Sequence, residues 1–392
     1  MSSLSVVDVC VIGAGPAGTA AAATLAKNGV ETVVVDKATF PRDKSCGDAL
    51  TTMSLRSLAA LGLAPDVVAS WTPVNGAVVH PPRGAPVTLD LPGDDGGYAA
   101  IARRTELDAA LVDLAQRSGA EVRTGAHVTK RWVGADWIDV AFSDGSTLRC
   151  RHVVVATGAG ALQRGEADMH ATRLYMTAPG GAPDRVHVVF AEHLLPGYAW
   201  VFPIGASEVN VGVAVQNSHH TAREAVAATR AFVRSGQFRH IAGDVTSPTD
   251  RVRSWPIPSS LLPSPSVQRT LYVGDAAGLA DPMTGEGLGQ ALRSGILAAR
   301  AITLAGNRDA APGYRRNILR NFAGDHAASR LCLRALSHPR SAAAAVRFMG
   351  STSKRARYFA RWMWEETPRS AVISPVALVR SLRTGHRVTF PS

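Results

Sequence analysis

Lysine is almost missing from this chain: five of its 42 basic residues are Lys (27, 37, 44, 130 and 354) and the rest are Arg. That bias, beside abundant Ala, reads as genome composition rather than a nucleic-acid surface, and no nucleic-acid module is recognisable. Cysteine is sparse too. The four (10, 46, 150 and 332) show no CxxC pair or metal-ligand spacing, which excludes a disulfide framework and a zinc site and fits a reducing cytoplasm. No apolar run reaches membrane-spanning length, and the N-terminus enters a strand without the basic leader of a signal peptide. What is present is 392 residues, 46% hydrophobic, enough for two soluble domains and a tail. The formal charge of +11 asks for an anionic partner such as a phosphate cofactor or an acidic lipid.

Residues 7–12, VDVCVI, read as a buried parallel strand. Gly13-Ala-Gly15-Pro-Ala-Gly18 follows, then a helix ending at Gly29, then the strand ETVVVD, which closes on Asp36, 23 residues after Gly13. This is a dinucleotide-binding βαβ unit, with glycines for the turn, for approach to pyrophosphate and for helix–strand packing, and a carboxylate for a ribose hydroxyl. The glycine pattern does not separate FAD from NAD(P). A second cofactor element some 260 residues later, LYVGDAAGLADPMTGEGLGQALRS at 271–294, points to FAD, an extended molecule bound at two distant places in the chain. In that element a strand stops at Gly274-Asp275, where a carboxylate can accept hydrogen bonds from a polyol. Pro282, Gly285 and Gly287 let backbone approach a flat ring. The helix beginning near Gly287 offers free N–H groups and a partial positive charge for a reduced flavin.

Between these elements the loop Phe40-Pro-Arg42-Asp-Lys-Ser-Cys46-Gly-Asp48 leads into a helix. Arg42 is suited to a phosphate, and Cys46 lies just before the helix N-terminus, where thiolate is favoured, although a lone Cys is ordinarily inert. Residues 74–101 suggest antiparallel strands of a second domain, and VVVATG at 153–158 a buried strand that packs on a dinucleotide. Tyr198, Trp200 and Phe202 alternate, so a strand there puts three rings on one face. Such a face is an apolar core or a wall for a hydrocarbon. Lys354–Trp364 mixes basic and aromatic residues, and is expected to be a helix packed over the substrate cavity, with contact to an anionic membrane surface as the other reading.

The GxGxxG unit, the RxxLD helix start from Arg104 to Asp108, the ATG strand and the GD element occur in the order of group A flavoprotein monooxygenases and their relatives. Within that group, FPRDKSCGDAL and VGDAAGLADPMTGEGLGQAL resemble the geranylgeranyl reductase family, over roughly residues 7–305. GYAWVFP at 197–203, followed by Gly212, is similar to the family's YxWxFP…GxG cavity signature; GVA stands here for GxG, so Ala214 reshapes the wall.

The resemblance implies an α/β fold: a Rossmann-type FAD-binding domain (1–75 with 102–165 and 270–310), an antiparallel-sheet substrate domain (76–101 with 166–269) and a helical C-terminal region (311–392). It implies FAD contacts at Gly13, Gly15, Ala17, Gly18, Asp36 and Lys37, and at Arg42, Cys46, Gly47, Arg104 and Val128. Further contacts are implied at Thr157, Gly158, Gly274 and Asp275, then at Pro282, Gly285, Glu286, Gly287 and Leu288. Tyr198, Trp200, Phe202, Pro203 and Gly212 are implied for substrate.

The activity implied is saturation of polyprenyl double bonds, in a geranylgeranyl lipid or pyrophosphate or an isoprenoid quinone side chain. NAD(P)H or a donor such as ferredoxin would supply the electrons. Cys46, Asp48 and Tyr198 are the candidate proton sources or relays, with the Cys46 loop favoured. The alternatives are a flavin hydroxylase of an apolar molecule and a non-catalytic flavin- or lipid-binding protein. A halogenase fits poorly, because Tyr198 and Phe202 occupy the diagnostic positions of GWxWxIP and residues 45–129 hold no Lys. The expected location is cytoplasmic, peripheral at most at the inner face of the membrane.

Overall fold

The computed structural model describes residues 5–91, 97–161, 167–247 and 251–373; the end of the expected C-terminal region, 374–392, lies outside the described residues. The β-branched run at the start forms the strand Ser5–Ile12, in which Val7, Val9, Cys10, Val11 and Ile12 are all buried. Burial on both faces is what a central parallel strand requires. It pairs in parallel with Thr147–Val155 on one side and Thr32–Asp36 on the other, within an eight-stranded sheet. Thr270–Tyr272 joins the far edge of Thr147–Val155, so one intervening strand separates the two cofactor elements.

Small residues then set the layer above. The helix Pro16–Lys27 buries Ala17, Ala20, Ala21 and Ala22 and crosses the helix Leu288–Ala305 closely. A Cβ at Gly295 would stand 2.2 Å from the Ala17 carbonyl oxygen, so this crossing admits no side chain there.

The second sheet has seven strands in the order Arg253–Ile257, Met169–Thr177, Glu208–Gln216, Tyr198–Ile204, Val186–Val189, Gly76–His80 and Val87–Asp90. Its pairings are antiparallel except one, since Gly76–His80 runs parallel to Val186–Val189. The antiparallel expectation for 74–101 therefore holds towards Val87–Asp90 and fails towards Val186–Val189. A crossover of about a hundred residues makes that pair parallel, and no local signal announces it.

The helices Ala311–Leu336, Pro339–Gly350 and Ser353–Met363 follow. Tyr358, Ala360 and Trp362 are buried while Lys354, Arg355 and Arg357 are exposed, so the aromatic face of the last helix turns inward. None of the described helices is long and apolar enough to cross a membrane.

Candidate active site

A cavity of about 820 Å³ runs from the glycine loop, past the Cys46 loop, to the C-terminal helices. At its polar end, Gly13 has φ +108°, and a Cβ there would stand 2.3 Å from the Ala156 carbonyl oxygen. Gly18 is shut in similarly, 1.9 Å from the Gly13 carbonyl oxygen; it is no part of the cavity wall, and the cofactor contact expected of it is corrected to helix–strand packing. Gly15 is the open glycine. It caps the helix Pro16–Lys27 with no side-chain hydrogen bond, and a Cβ would meet only Arg42 Nη2, at 3.3 Å. Gly15, Pro16 and Ala17 line the cavity, and a helix N-terminus there fits a pyrophosphate. Asp36 accepts from the Ala14 and Ala38 amides at 2.7 and 2.8 Å, which fixes the loop and puts the carboxylate on the cavity wall. Ala17, Lys37, Val128, Thr157 and Gly158 line the same end.

Arg104 is buried at its helix start, donating to Asp108 through Nε at 2.7 Å and Nη2 at 2.9 Å; Arg42 lies 3.5 Å from the same carboxylate. Burial opposes the Arg104 charge, but Asp108 and Cys46 outweigh it and hold the guanidinium well above its ordinary pKa. Both arginines line the cavity. Asp275 does too, with Lys44 Nζ 3.3 Å away, a partner that the sequence reading missed although Lys44 stands in the quoted loop. Gly274, Gly285, Glu286, Gly287 and Leu288 complete this wall. Pro282 does not belong to it, which corrects the expected contact; its carbonyl accepts from Gln216 Nε2 at 3.1 Å and braces the loop from behind.

The helix after the Cys46 loop begins only at Thr52, capped by Thr51, with the short strand Ala49–Leu50 in between. Cys46 therefore lacks the helix N-terminus expected for it. Burial pushes its thiol up, against the pull of Arg104, so it faces the cavity as a neutral thiol. Asp48 is fully buried at φ +65° and is not on the cavity wall. Its Oδ2 accepts from Tyr175 Oη at 2.6 Å and Asn210 Nδ2 at 2.9 Å. Burial, tempered by those two donors, raises its pKa to about 6. Asn210 also donates to the Cys46 carbonyl at 2.9 Å and accepts from Trp200 Nε1 at 3.0 Å. Asp48 thus ties the Cys46 loop to the aromatic strand through Asn210.

The apolar end is a wall of rings. Tyr198 and Trp200 stand 6.1 Å apart by ring centroids, Trp200 and Phe202 5.9 Å, and all three line the cavity. Gly47 packs on them, since a Cβ there would be 3.2 Å from the Phe202 ring. Gly212 and Pro203 are not on the wall, correcting both expectations. Gly212 faces Trp200 across the strand pair, and a Cβ would fall 2.3 Å from the indole, so it is the seat of that ring. Ala214 does line the cavity, opposite Tyr198 in the same pair. The Tyr198 hydroxyl donates to the Thr284 carbonyl; burial, with Glu286 and Asp281 nearby, holds it far above its ordinary pKa. Trp255, Cys332 and Arg369 also reach the cavity and escaped the sequence reading, having no motif to mark them, while Trp364 ends the segment expected to cover the cavity and lines it too.

The geometry defines a nucleotide-cofactor site opening onto an apolar chamber, and the chain belongs to the family described as FAD binding domain, whose model matches residues 6–312. Among its relatives, the menaquinone reductase of Mycolicibacterium smegmatis is 32% identical over 363 residues, 85% of each chain. The digeranylgeranylglycerophospholipid reductase 1 of Methanopyrus kandleri is 30% identical over 74% of this chain and 79% of that one. A solved structure of a geranylgeranyl bacteriochlorophyll reductase-like protein from Thermoplasma acidophilum superposes with a TM-score of 0.76 at 21% identity, covering 97% of this chain and 96% of that one. At that identity the likeness is one of fold.

Proposed function

We propose that this chain is an FAD-dependent reductase that saturates double bonds of a polyprenyl chain, carried by a geranylgeranyl lipid or an isoprenoid quinone. One observation carries the reading: a single cavity joins the glycine-loop end to the three-ring wall, with the neutral Cys46 thiol on its lining. Bound FAD supplies hydride, drawn from NAD(P)H or another donor such as ferredoxin. Gly15 admits the pyrophosphate, Asp36 meets a ribose hydroxyl and Asp275 the ribityl chain. The segments 76–101 and 166–269 serve the substrate. Tyr198, Trp200 and Phe202 hold the hydrocarbon and exclude water from it. An isolated alkene accepts hydride poorly, so a proton must reach the other carbon as hydride arrives, and Cys46 holds that proton. The relatives named menaquinone reductase and digeranylgeranylglycerophospholipid reductase support the substrate class.

Contact with an anionic membrane surface belongs to the same reading. Residues 326–364 carry eight Arg or Lys and no Asp or Glu. Phe348, 52% exposed, lines the outer end of the cavity, and the ring series Phe348, Phe359, Trp362 leads inward at spacings of 6.0 and 5.9 Å. A basic, aromatic rim around an apolar opening suits entry of a lipid from a bilayer.

The test is anaerobic: reduce the bound flavin, add a polyprenyl substrate and follow reoxidation. Alkene-dependent reoxidation with a saturated product is expected. No reoxidation by any polyprenyl, with a hydroxylated product in air, would overturn the reading in favour of a monooxygenase.

A further inference from the structure

Cys46 can give one proton, and each further turnover needs another. Three carboxylates cluster at the cavity wall, and one of them, Glu286, acts electrostatically on Cys46. Glu286 lines the cavity, and its Oε1 accepts from the Leu288 amide at 2.9 Å, in the first turn of the helix Leu288–Ala305. Glu365, at φ +59° and 6% exposed, reaches the same turn: its Oε1 accepts from Gln290 Nε2 at 2.7 Å, and its Oε2 from Thr51 Oγ1 at 2.7 Å. A bulky residue held at positive φ is a strained conformation that its surroundings must enforce. Asp281 is the third, 3.5 Å from Arg369 Nε. Arg369 serves both partners, since its Nη2 lies 3.8 Å from Glu365. Arg104 also faces Glu286 and is committed to Asp108, and Arg293, which faces Glu365, hydrogen-bonds Asn321.

Two like charges on one helix turn, sharing so little positive charge in a dry site, do not both ionise. An independent sign of a bound proton is the Gln290 amide. Its Oε1 is buried without a hydrogen-bond partner among the described residues, and a carboxyl O–H is the kind of donor that it lacks.

We propose that Glu286 and Glu365 share one proton at the cavity wall and that Glu286 passes it to Cys46 after each reduction; this rests on the reductase reading above. The balance is simple. Hydride goes from the reduced flavin to one alkene carbon, the Cys46 proton to the other, and the resulting thiolate takes the Glu286 proton, leaving a carboxylate that solvent reprotonates. The order of acidities permits it. Burial, then Glu365, pushes Glu286 up to about 8, while Cys46 is raised from an ordinary value of 9.0, so the carboxyl is the stronger acid. Tyr198, on the same wall, keeps its proton on the Thr284 carbonyl.

The test uses the flavin-loaded enzyme, dithionite as reductant and a polyprenyl substrate without oxygen. In Glu286→Gln the later turnovers should slow relative to that variant's own first turnover by about 10²-fold, the low end of proton-transfer help, whereas in the wild type first and later turnovers should keep pace. Glu365→Gln should move the alkaline limb of turnover to lower pH, since removing the like charge lowers the Glu286 pKa. Infrared spectra should show a protonated-carboxyl C=O band at neutral pH that both variants weaken. Unchanged later turnovers in Glu286→Gln, or a first turnover as slow as the later ones, would overturn the relay. A carboxyl band untouched by either variant would do the same. If the wild type reduces no polyprenyl at all, the reductase reading falls, and the infrared titration still decides whether the pair holds a proton.

Discussion

The two ends of the cavity are built in opposite ways. At the cofactor end, backbone does the work: Gly13, Gly15 and Gly18 lie within six residues of chain, and the contacts that define the loop are peptide to peptide or peptide to Asp36. At the apolar end the wall is side chain. It is assembled from Tyr198–Ile204, the Cys46 loop and helices that lie beyond residue 310. A backbone site tolerates no change in shape but depends little on distant sequence. A side-chain site can be reshaped one ring at a time, at the cost of depending on many segments.

The largest effect that separates the ends is expected at Gly18. Gly18→Val has no room, and overpacking by a whole side chain costs about 3 kcal/mol or more, so folded protein should be scarce in a denaturation assay. Gly15→Val, facing open cavity 3.3 Å from Arg42, should instead fold and purify nearly colourless. Equal flavin content in Gly15→Val and wild type would break the contrast. Next is the junction. Cys46→Ala should keep FAD and slow single-turnover alkene reduction by about 10²–10⁴-fold; reoxidation at the wild-type rate would make Cys46 structural. Trp200→Ala should cost about 3–5 kcal/mol of stability, as buried large-to-Ala changes do. It should also alter which double bond is saturated, read by mass spectrometry of the product; an unchanged product pattern would mean that the ring only fills the core. The smallest effect lies at the rim. Replacing Arg340, Arg347 and Arg355 by Ser should weaken sedimentation with anionic vesicles by about 1 kcal/mol per residue, less at high salt. Salt-insensitive binding, or none by the intact protein, would confine these helices to covering the cavity.

The legibility of the two ends differs for the same reason. Gly13, Gly15 and Asp36 were readable because the turn, the amides and the acid sit in one local motif whose spacing has a single geometric solution. Gly18 was legible as part of that motif, though its task is packing and not contact. The period-two rings at 198, 200 and 202 were readable as one face. What lay behind them was not. Gly212 looked like cavity wall and is the seat of Trp200, because only the strand register sets it opposite that ring. That Asp48 also braces its loop was not readable, because its partners Tyr175 and Asn210 lie on strands far along the chain.

By itself the chain's sequence determined the βαβ unit, the second cofactor element and the aromatic face, since each follows from short-range periodicity and from residues with special backbone freedom. Tertiary structure alone decided the rest. It placed Lys44 on Asp275, turned Trp362 inward over the cavity, and brought Glu365 to the same helix turn as Glu286, 79 residues earlier. Those outcomes hinge on burial and charge arriving from segments far apart in the chain, and the acidity of a carboxyl is a property of its surroundings that no local pattern encodes.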